Sequence, residues 1–197
     1  MDDILLKDSR TYRKYDTEMK GRLNSVELSG VAIFSSILTI AEVMSFALTW
    51  PLLPPIVVVP FITSFIYAIS IPFTRSQWIM GLVAFFITNI SKGGILPGPF
   101  IIPAYGFIFQ TGRVRLSGAF SSIIHVFYGI FLAPLIFAVA PAKAVYDWLL
   151  LCFGSFAPAI IVAMTVFGIG GAMAAGSGQA IGSRIAKNLS RRRYYDS

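Results

Sequence analysis

One cysteine and one histidine among 197 residues remove several functional classes at once. Cys152 has no second thiol with which to form an intrachain disulfide. With only His125 beside it, the chain lacks a zinc, iron–sulfur or bis-histidine haem set. Cys152 therefore reads as a small buried hydrophobe. Catalytic signatures are missing too: there is no Walker lysine loop, no HExxH, no GxSxG and no repeated aspartate motif of the head-group transferases. Gly176-Ser-Gly178 makes no dinucleotide fingerprint, because no strand precedes it and the third glycine is misplaced. No catalytic residue, metal or cofactor is expected, nor ATP hydrolysis by this chain.

Charge is equally scarce. Only 13% of residues are charged against 56% hydrophobic, and the mean hydropathy is +0.75, which is not the composition of a soluble globular domain. The chain reads as an all-α, polytopic integral membrane protein. Residues 1–27 are charged throughout, with no cleavable apolar core, and read as a cytoplasmic tail. The membrane domain is expected over 28–190, and a basic cytoplasmic tail over 191–197. The net charge of +7 in a soluble protein would point to nucleic acid. Here most basic residues flank apolar runs, so they report topology and no nucleic-acid partner is expected.

The run 28–50, LSGVAIFSSILTIAEVMSFALTW, has the length of a bilayer-crossing helix and holds one carboxylate, Glu42. On helical spacing Ser35, Thr39, Glu42, Ser45 and Thr49 share one stripe, which should face protein or water. An ionised carboxylate at membrane depth costs several kcal/mol or more unless it is hydrated, paired or protonated. Glu42 thus marks either a functional cavity or a structural hydrogen bond to a neighbouring helix.

Prolines 51, 54 and 55 end the first helix. A second is expected over 56–73, a third from Trp78 to about 90–92, and a short fourth, containing Pro103 and Gly106, over 100–110. Between the last two, SKGGILPGPF (91–100) has the glycine and proline density of irregular backbone at a membrane edge or cavity. TGRVRLS (111–117) reads as a basic turn, 118–140 as helix five with a kink at Pro134, and 148–167 as helix six. Trp50, Trp78 and Trp148 fall at span ends as interfacial anchors. With six spans and both ends inside, fourteen of the sixteen lysines and arginines fall on the cytoplasmic side, leaving Lys92 and Lys143 outside. Five or seven spans would separate the two basic tails.

His125 is the other ionisable residue well inside a span, either a relay or ligand contact or an interhelical hydrogen-bond partner. Asn89 and Tyr105 are further polar candidates, Gln110 belongs at the inner surface, and Lys92 can snorkel to the outer headgroups. Small residues recur at Ala32 and Ser36, and again at Gly170, Ala174, Gly178, Gly182 and Ala186. The second row is either an internal seam or a docking face for a partner.

The small-residue row beginning at Ala32, the Gly98-Pro99 and Pro103-Ala-Tyr-Gly106 of helix four, and the glycine-then-basic ending from Gly178-Gln-Ala-Ile-Gly182 to Lys187 together resemble the substrate-binding S components of energy-coupling factor (ECF) vitamin transporters. The resemblance implies six helices with both ends inside, a multi-pass place in the cell membrane, and a small water-soluble nutrient captured near the outer face. It also implies a transmembrane coupling subunit and ATPase subunits as partners, docked through Ala32, Ser36, Gly170, Ala174, Gly178 and Gly182. Helix one departs from the family's usual Ala-x-x-x-Ala by having Ser36. The expected substrate contacts are Glu42, Thr39, Ser45, Asn89, Tyr105 and His125. An accessory or structural subunit of a larger membrane complex is the alternative.

Overall fold

The computed structural model describes residues 25–49, 55–91, 101–128, 147–148 and 150–195, and among them every regular element is a helix and no strand occurs. The tail 1–24, Trp50, the connector 51–54, the glycine- and proline-rich 92–100 with Lys92, Pro134, and 141–146 with Lys143 lie outside the described residues. The helices are α1 (Ser25–Thr49), α2 (Pro55–Ser70), α3 (Gln77–Ser91), α4 (Ile101–Phe109), α5 (Val114–Val126) and α6 (Phe156–Tyr195). Two stretches, Ser25–Met44 in α1 and Ala157–Leu189 in α6, are long and apolar enough to cross a membrane. α4 has nine residues, which rise about 13 Å, less than half a bilayer core of about 30 Å.

Contacts between neighbours give the helices their relative directions. Along α1 and α3, Glu27 meets Ser76 and Ser35 meets the carbonyl of Met80, so these two run parallel. α2 runs against α1, because Thr63 meets Glu42 whereas Phe73, just past its end, packs against Phe34, and against α5, because Ser64 meets the Gly118 carbonyl whereas Pro60 meets Ser122. A methyl placed at Gly170, Gly178 or Gly182 of α6 would strike Phe61, the carbonyl of Phe65 and the carbonyl of Ile69 in turn. α6 therefore runs parallel to α2. Successive helices alternate in direction, which brings the start of α1, the α2–α3 turn and the α4–α5 turn to one end of the bundle. Arg75, Arg113 and Arg115 lie at that end, and Arg115 reaches the backbone of α6 at Gly176.

The turns at this end are built from local polar bonds. Past Ser70 the chain turns with Phe73 and Thr74 amides bonded to the Ser70 carbonyl, while Ser70 Oγ donates to Gln77 Oε1 (2.9 Å) and Gln77 Nε2 donates to the Thr74 carbonyl (2.8 Å). Between α4 and α5 only four residues intervene. Gly112 takes a φ of 77° there, a left-handed conformation that glycine adopts without the usual steric cost.

Boundaries differ from the sequence reading where apolar periodicity carries no stop signal. α5 begins at Val114 and not at Gly118, because Ser117 already bonds back to Arg113 (2.8 Å). The run expected as one helix from Trp148 to Phe167 is interrupted at Gly154, whose φ is 68° and whose amide closes the preceding turn on Leu150 (2.8 Å). α6 then runs 40 residues without a break, so the expected division at 190 falls inside a helix and the one at 28 falls inside α1. Cys152 is exposed, not buried, since it lies in the helical stretch before that break. Trp148 is also exposed, and Trp78 stacks on Phe107 (6.1 Å).

Side-chain size decides how closely the helices approach. α6 lies on α2 through Gly170, Gly178 and Gly182, and on α5 through Gly171 and Ala175, which meet Gly118 and Ser122. Small residues on both sides bring backbones together and raise dispersion contact. The centre of the bundle is filled by Leu38, Tyr67, Met80, Ile102, Tyr105 and Phe109, all essentially inaccessible. The outside is apolar: Ile33, Ile37, Ile40 and Met44 on α1, Phe86 and Ile90 on α3, and Ile161, Val166, Ile169 and Met173 on α6 are exposed.

Candidate functional site: a buried polar cluster

The described part of the α1 stripe, Ser35 to Glu42, faces the interior; the side chain of Thr49 lies outside the described residues. Ser35, Thr39 and Glu42 are buried, with Glu42 only 8% exposed, while Ile33, Ile37 and Ile40 between them face outward. Ser35 Oγ donates to the Met80 carbonyl (3.0 Å), tying α1 to α3. Glu42 Oε1 accepts a hydrogen bond from Thr63 Oγ1 of α2 (3.0 Å). Ser45 lies in α1, and its side chain is outside the described residues.

Thr63 belongs to a second stripe. Thr63, Ser64, Tyr67 and Ser70 are all buried on α2, at spacings that keep them on one side of the helix. Ser64 Oγ and Ser122 Oγ of α5 are 3.1 Å apart. Tyr67 donates to the Ile102 carbonyl of α4 (2.8 Å), and its ring stacks on those of Tyr105 (5.8 Å) and Phe109 (5.5 Å). The hydroxyl of Tyr105 meets Nδ1 of His125 at 3.2 Å and faces the hydroxyls of Ser64 and Ser122. Both phenols lie within electrostatic reach of the Glu42 carboxylate. His125 is itself buried, with its ring edge-on to Tyr105.

The structure thus brings Glu42, Tyr105 and His125 into one cluster spread over α1, α2, α4 and α5. Tyr105 meets His125 directly and lies within electrostatic reach of Glu42. Asn89 is buried near the end of α3, where its amide turns back to the Phe85 carbonyl (2.8 Å). Three buried hydroxyls have no hydrogen-bond partner among the described residues: Thr39, Thr88 and Ser121. Thr39 is one turn from Glu42 on the same face. Gln110 is exposed at the arginine-bearing end.

The chemistry of the cluster is hydrogen bonding and charge. One carboxylate, one imidazole, two phenols and several hydroxyls can orient a polar molecule or hold a proton. Among the described residues no group of three His, Cys, Asp or Glu converges as a metal site needs.

The small-residue rows divide. Gly178 and Gly182 are covered by α2 and Gly170 abuts Phe61, so their faces are spent inside the chain as a seam and are not open to a partner. Ala174 is half-buried beside that seam. Ala32 and Ser36 are exposed, and Ser36 Oγ bonds back to the Ala32 carbonyl (2.9 Å), leaving a smooth outward patch on α1.

Thr63, Ser64, Tyr67 and Ser122 were not among the residues singled out from the sequence. The spacing that revealed Ser35, Thr39 and Glu42 is present in them too, and in Ser117, Ser121, Ser122 and His125 of α5. No family model, curated protein or solved structure matches this chain.

Proposed function

We propose that this chain is a multi-pass membrane protein with six spans and both ends in the cytoplasm, and that it is the substrate-binding subunit of a transporter in the manner of ECF S components. The observation that carries the reading is a carboxylate, Glu42, buried against the Thr63 hydroxyl and within electrostatic reach of two phenols, inside a bundle whose outer surface is apolar. A soluble helix of this hydropathy would be a core helix covered on most sides. Here only 28% of the α1 span and 33% of the α6 span are buried, so their apolar surface faces a solvent that tolerates it. The alternating helix directions, with Arg75, Arg113 and Arg115 at one end, support the cytoplasmic assignment of that end.

On this reading Glu42 lies about 22 Å along α1 from Glu27, which is level with the arginine-bearing end, and so in the outer half of the membrane. A small water-soluble nutrient enters from outside and is held by Glu42, Thr39, Tyr105 and His125, with Thr63 and Tyr67 beside them. Asn89 extends the same site outward. A buried carboxylate favours a cation or a hydrogen-bond donor, because charge-assisted bonds in a low-dielectric site are roughly twice as strong as neutral ones. Energy for release comes from separate ATPase and coupling subunits, which meet the chain on the Ala32–Ser36 patch.

Native mass spectrometry of the purified protein tests this. A co-purified small molecule that Glu42→Gln loses or binds more weakly is the expected result. Retention of the molecule by the Gln variant at parental affinity overturns Glu42 as a charge-dependent contact. Absence of any small molecule, together with stable association into a larger membrane complex, favours the second reading, an accessory subunit. That reading draws on the exposed Ala32–Ser36 patch, which invites a close-packed neighbour.

A further inference from the structure

α6 continues well past the helices that cover it. Gly182 sits against the backbone of Ile69 next to the end of α2 at Ser70, and residues 183–195 rise about 20 Å beyond that level. An apolar stripe runs onto this projection. Ile181, Ile185 and Leu189 recur every fourth residue and are 41%, 41% and 52% exposed. Arg184 and Lys187 are exposed beside the stripe, and Arg191, Arg192 and Arg193 follow in sequence. These residues are the last of the apolar Ala157–Leu189 stretch; on the proposed topology the bilayer ends with the bundle near Gly182, so it does not cover the stripe.

Charge and tether length single out one occupant. The first eight residues are Met-Asp-Asp-Ile-Leu-Leu-Lys-Asp, so three of the chain's nine acidic residues flank three consecutive aliphatic ones. This is the complement of an apolar stripe edged by arginine and lysine. The segment is tethered at the correct end: α1 starts at Ser25 beside the α2–α3 turn, where Ser76 Oγ donates to Glu27 (2.9 Å). Ile69 places the root of the α6 projection at that same level. Residues 9–24, if extended, reach about 50 Å. Crossing two helix diameters and climbing the projection needs only about 45 Å.

We infer that residues 2–8 dock on the α6 projection, with Ile4, Leu5 and Leu6 covering Ile181, Ile185 and Leu189, and with Asp2, Asp3 and Asp8 facing Arg184 and Lys187. On the proposed topology, on which this inference rests, the contact covers an apolar surface that would otherwise meet water. It is independent of what the membrane site binds.

The test is site-directed cross-linking in the full-length protein with Cys152→Ser, so that only introduced thiols react. Leu5→Cys is paired with Ile185→Cys or with Ser183→Cys, which lies about 160° around the helix from Ile185. A short bis-maleimide should give an intramolecular product at 185 in several-fold higher yield than at 183. Reversing Asp2, Asp3 and Asp8 to lysine should abolish that preference, and adding Arg184→Asp with Lys187→Asp should restore it. All of these positions are in the tail or exposed, and melting curves of each variant verify the fold. Equal yields at 183 and 185 overturn the inference. So do products that are exclusively dimeric, which would make a second copy the occupant, and a preference indifferent to charge reversal.

Discussion

Leucine at Gly178 tests how closely α6 and α2 must approach. A Cβ at this position would run into the carbonyl oxygen of Phe65 and lie 3.1 Å from the Cβ of Ala68. The obstruction is helix backbone, which cannot rotate away, so α6 must shift or separate from α2. Overpacking of this kind costs about 1–3 kcal/mol, and rigid backbone argues for the upper half of that range. Against it stands the helix propensity of leucine over glycine, worth about 0.8 kcal/mol. The net loss for Gly178→Leu is then about 1–2 kcal/mol. Gly176→Leu is the internal control, because its Cβ meets only the flexible side chain of Arg115, nearest at 3.1 Å. There the propensity gain and the small displacement nearly cancel. At this chain length 1 kcal/mol moves the midpoint by about 2–4 °C. Gly178→Leu should therefore melt about 2–8 °C below Gly176→Leu when tryptophan fluorescence is followed in detergent. Equal midpoints for the two variants, or a Gly178→Leu protein that melts with the parent, would refute the seam as a constraint on packing.

Thr63→Val is isosteric and removes only the hydroxyl that donates to Glu42. Loss of one bond to a buried carboxylate should cost about 1.5–3 kcal/mol, whereas Thr63→Ser should stay within about 1 kcal/mol of the parent. Thermal melts that rank Val with Ser would show that the bond contributes nothing. Topology is checked in intact cells with Cys152→Ser and a single cysteine at position 111 or 142. A reagent that cannot cross membranes should label 142 alone, and labelling of 111 instead would invert the assignment.

How much of this was legible in the sequence depends on how each signal is encoded. The α1 stripe was readable because Glu42 is so costly in an apolar run that its neighbours at helical spacing became informative. Thr63, Ser64 and Tyr67 carry the same periodicity, but each is individually cheap in a membrane helix, and no charge among them draws the eye. Their partners on α4 and α5 lie 35 or more residues away along the chain for Tyr67 and 58 for Ser64. No local pattern reports such pairing. The break at Gly154 was hidden because it lies between long apolar runs, and the positive φ that ends the turn there is not written in the hydropathy. Conversely, the glycine-rich stretch after Phe167 weakens an isolated helix by up to about 1 kcal/mol per glycine. Packing against α2 and α5 overrides that propensity. The small-residue row was visible; which neighbour filled it was not.

The placement of the cluster follows from which helix joins the others. α6 packs on α2 and α5, while α1 packs on α2 and α3, so α2 links the two sides of the bundle. Its seam toward α6 uses Phe61, Phe65, Ala68 and Ile69, and its polar stripe uses Thr63, Ser64, Tyr67 and Ser70. Those sets point in different directions, as a helix of 3.6 residues per turn requires. In lipid, apolar surface gives little drive for one helix to prefer another, so small-residue contact and interhelical hydrogen bonds supply the specificity. α2 applies the first device toward α6 and the second toward α1, α4 and α5. Glu42 therefore sits where α1 is held by hydroxyls instead of by interlocking backbone, and a polar molecule can compete for a hydrogen bond more readily than it can pry apart a pair of helices packed glycine to carbonyl.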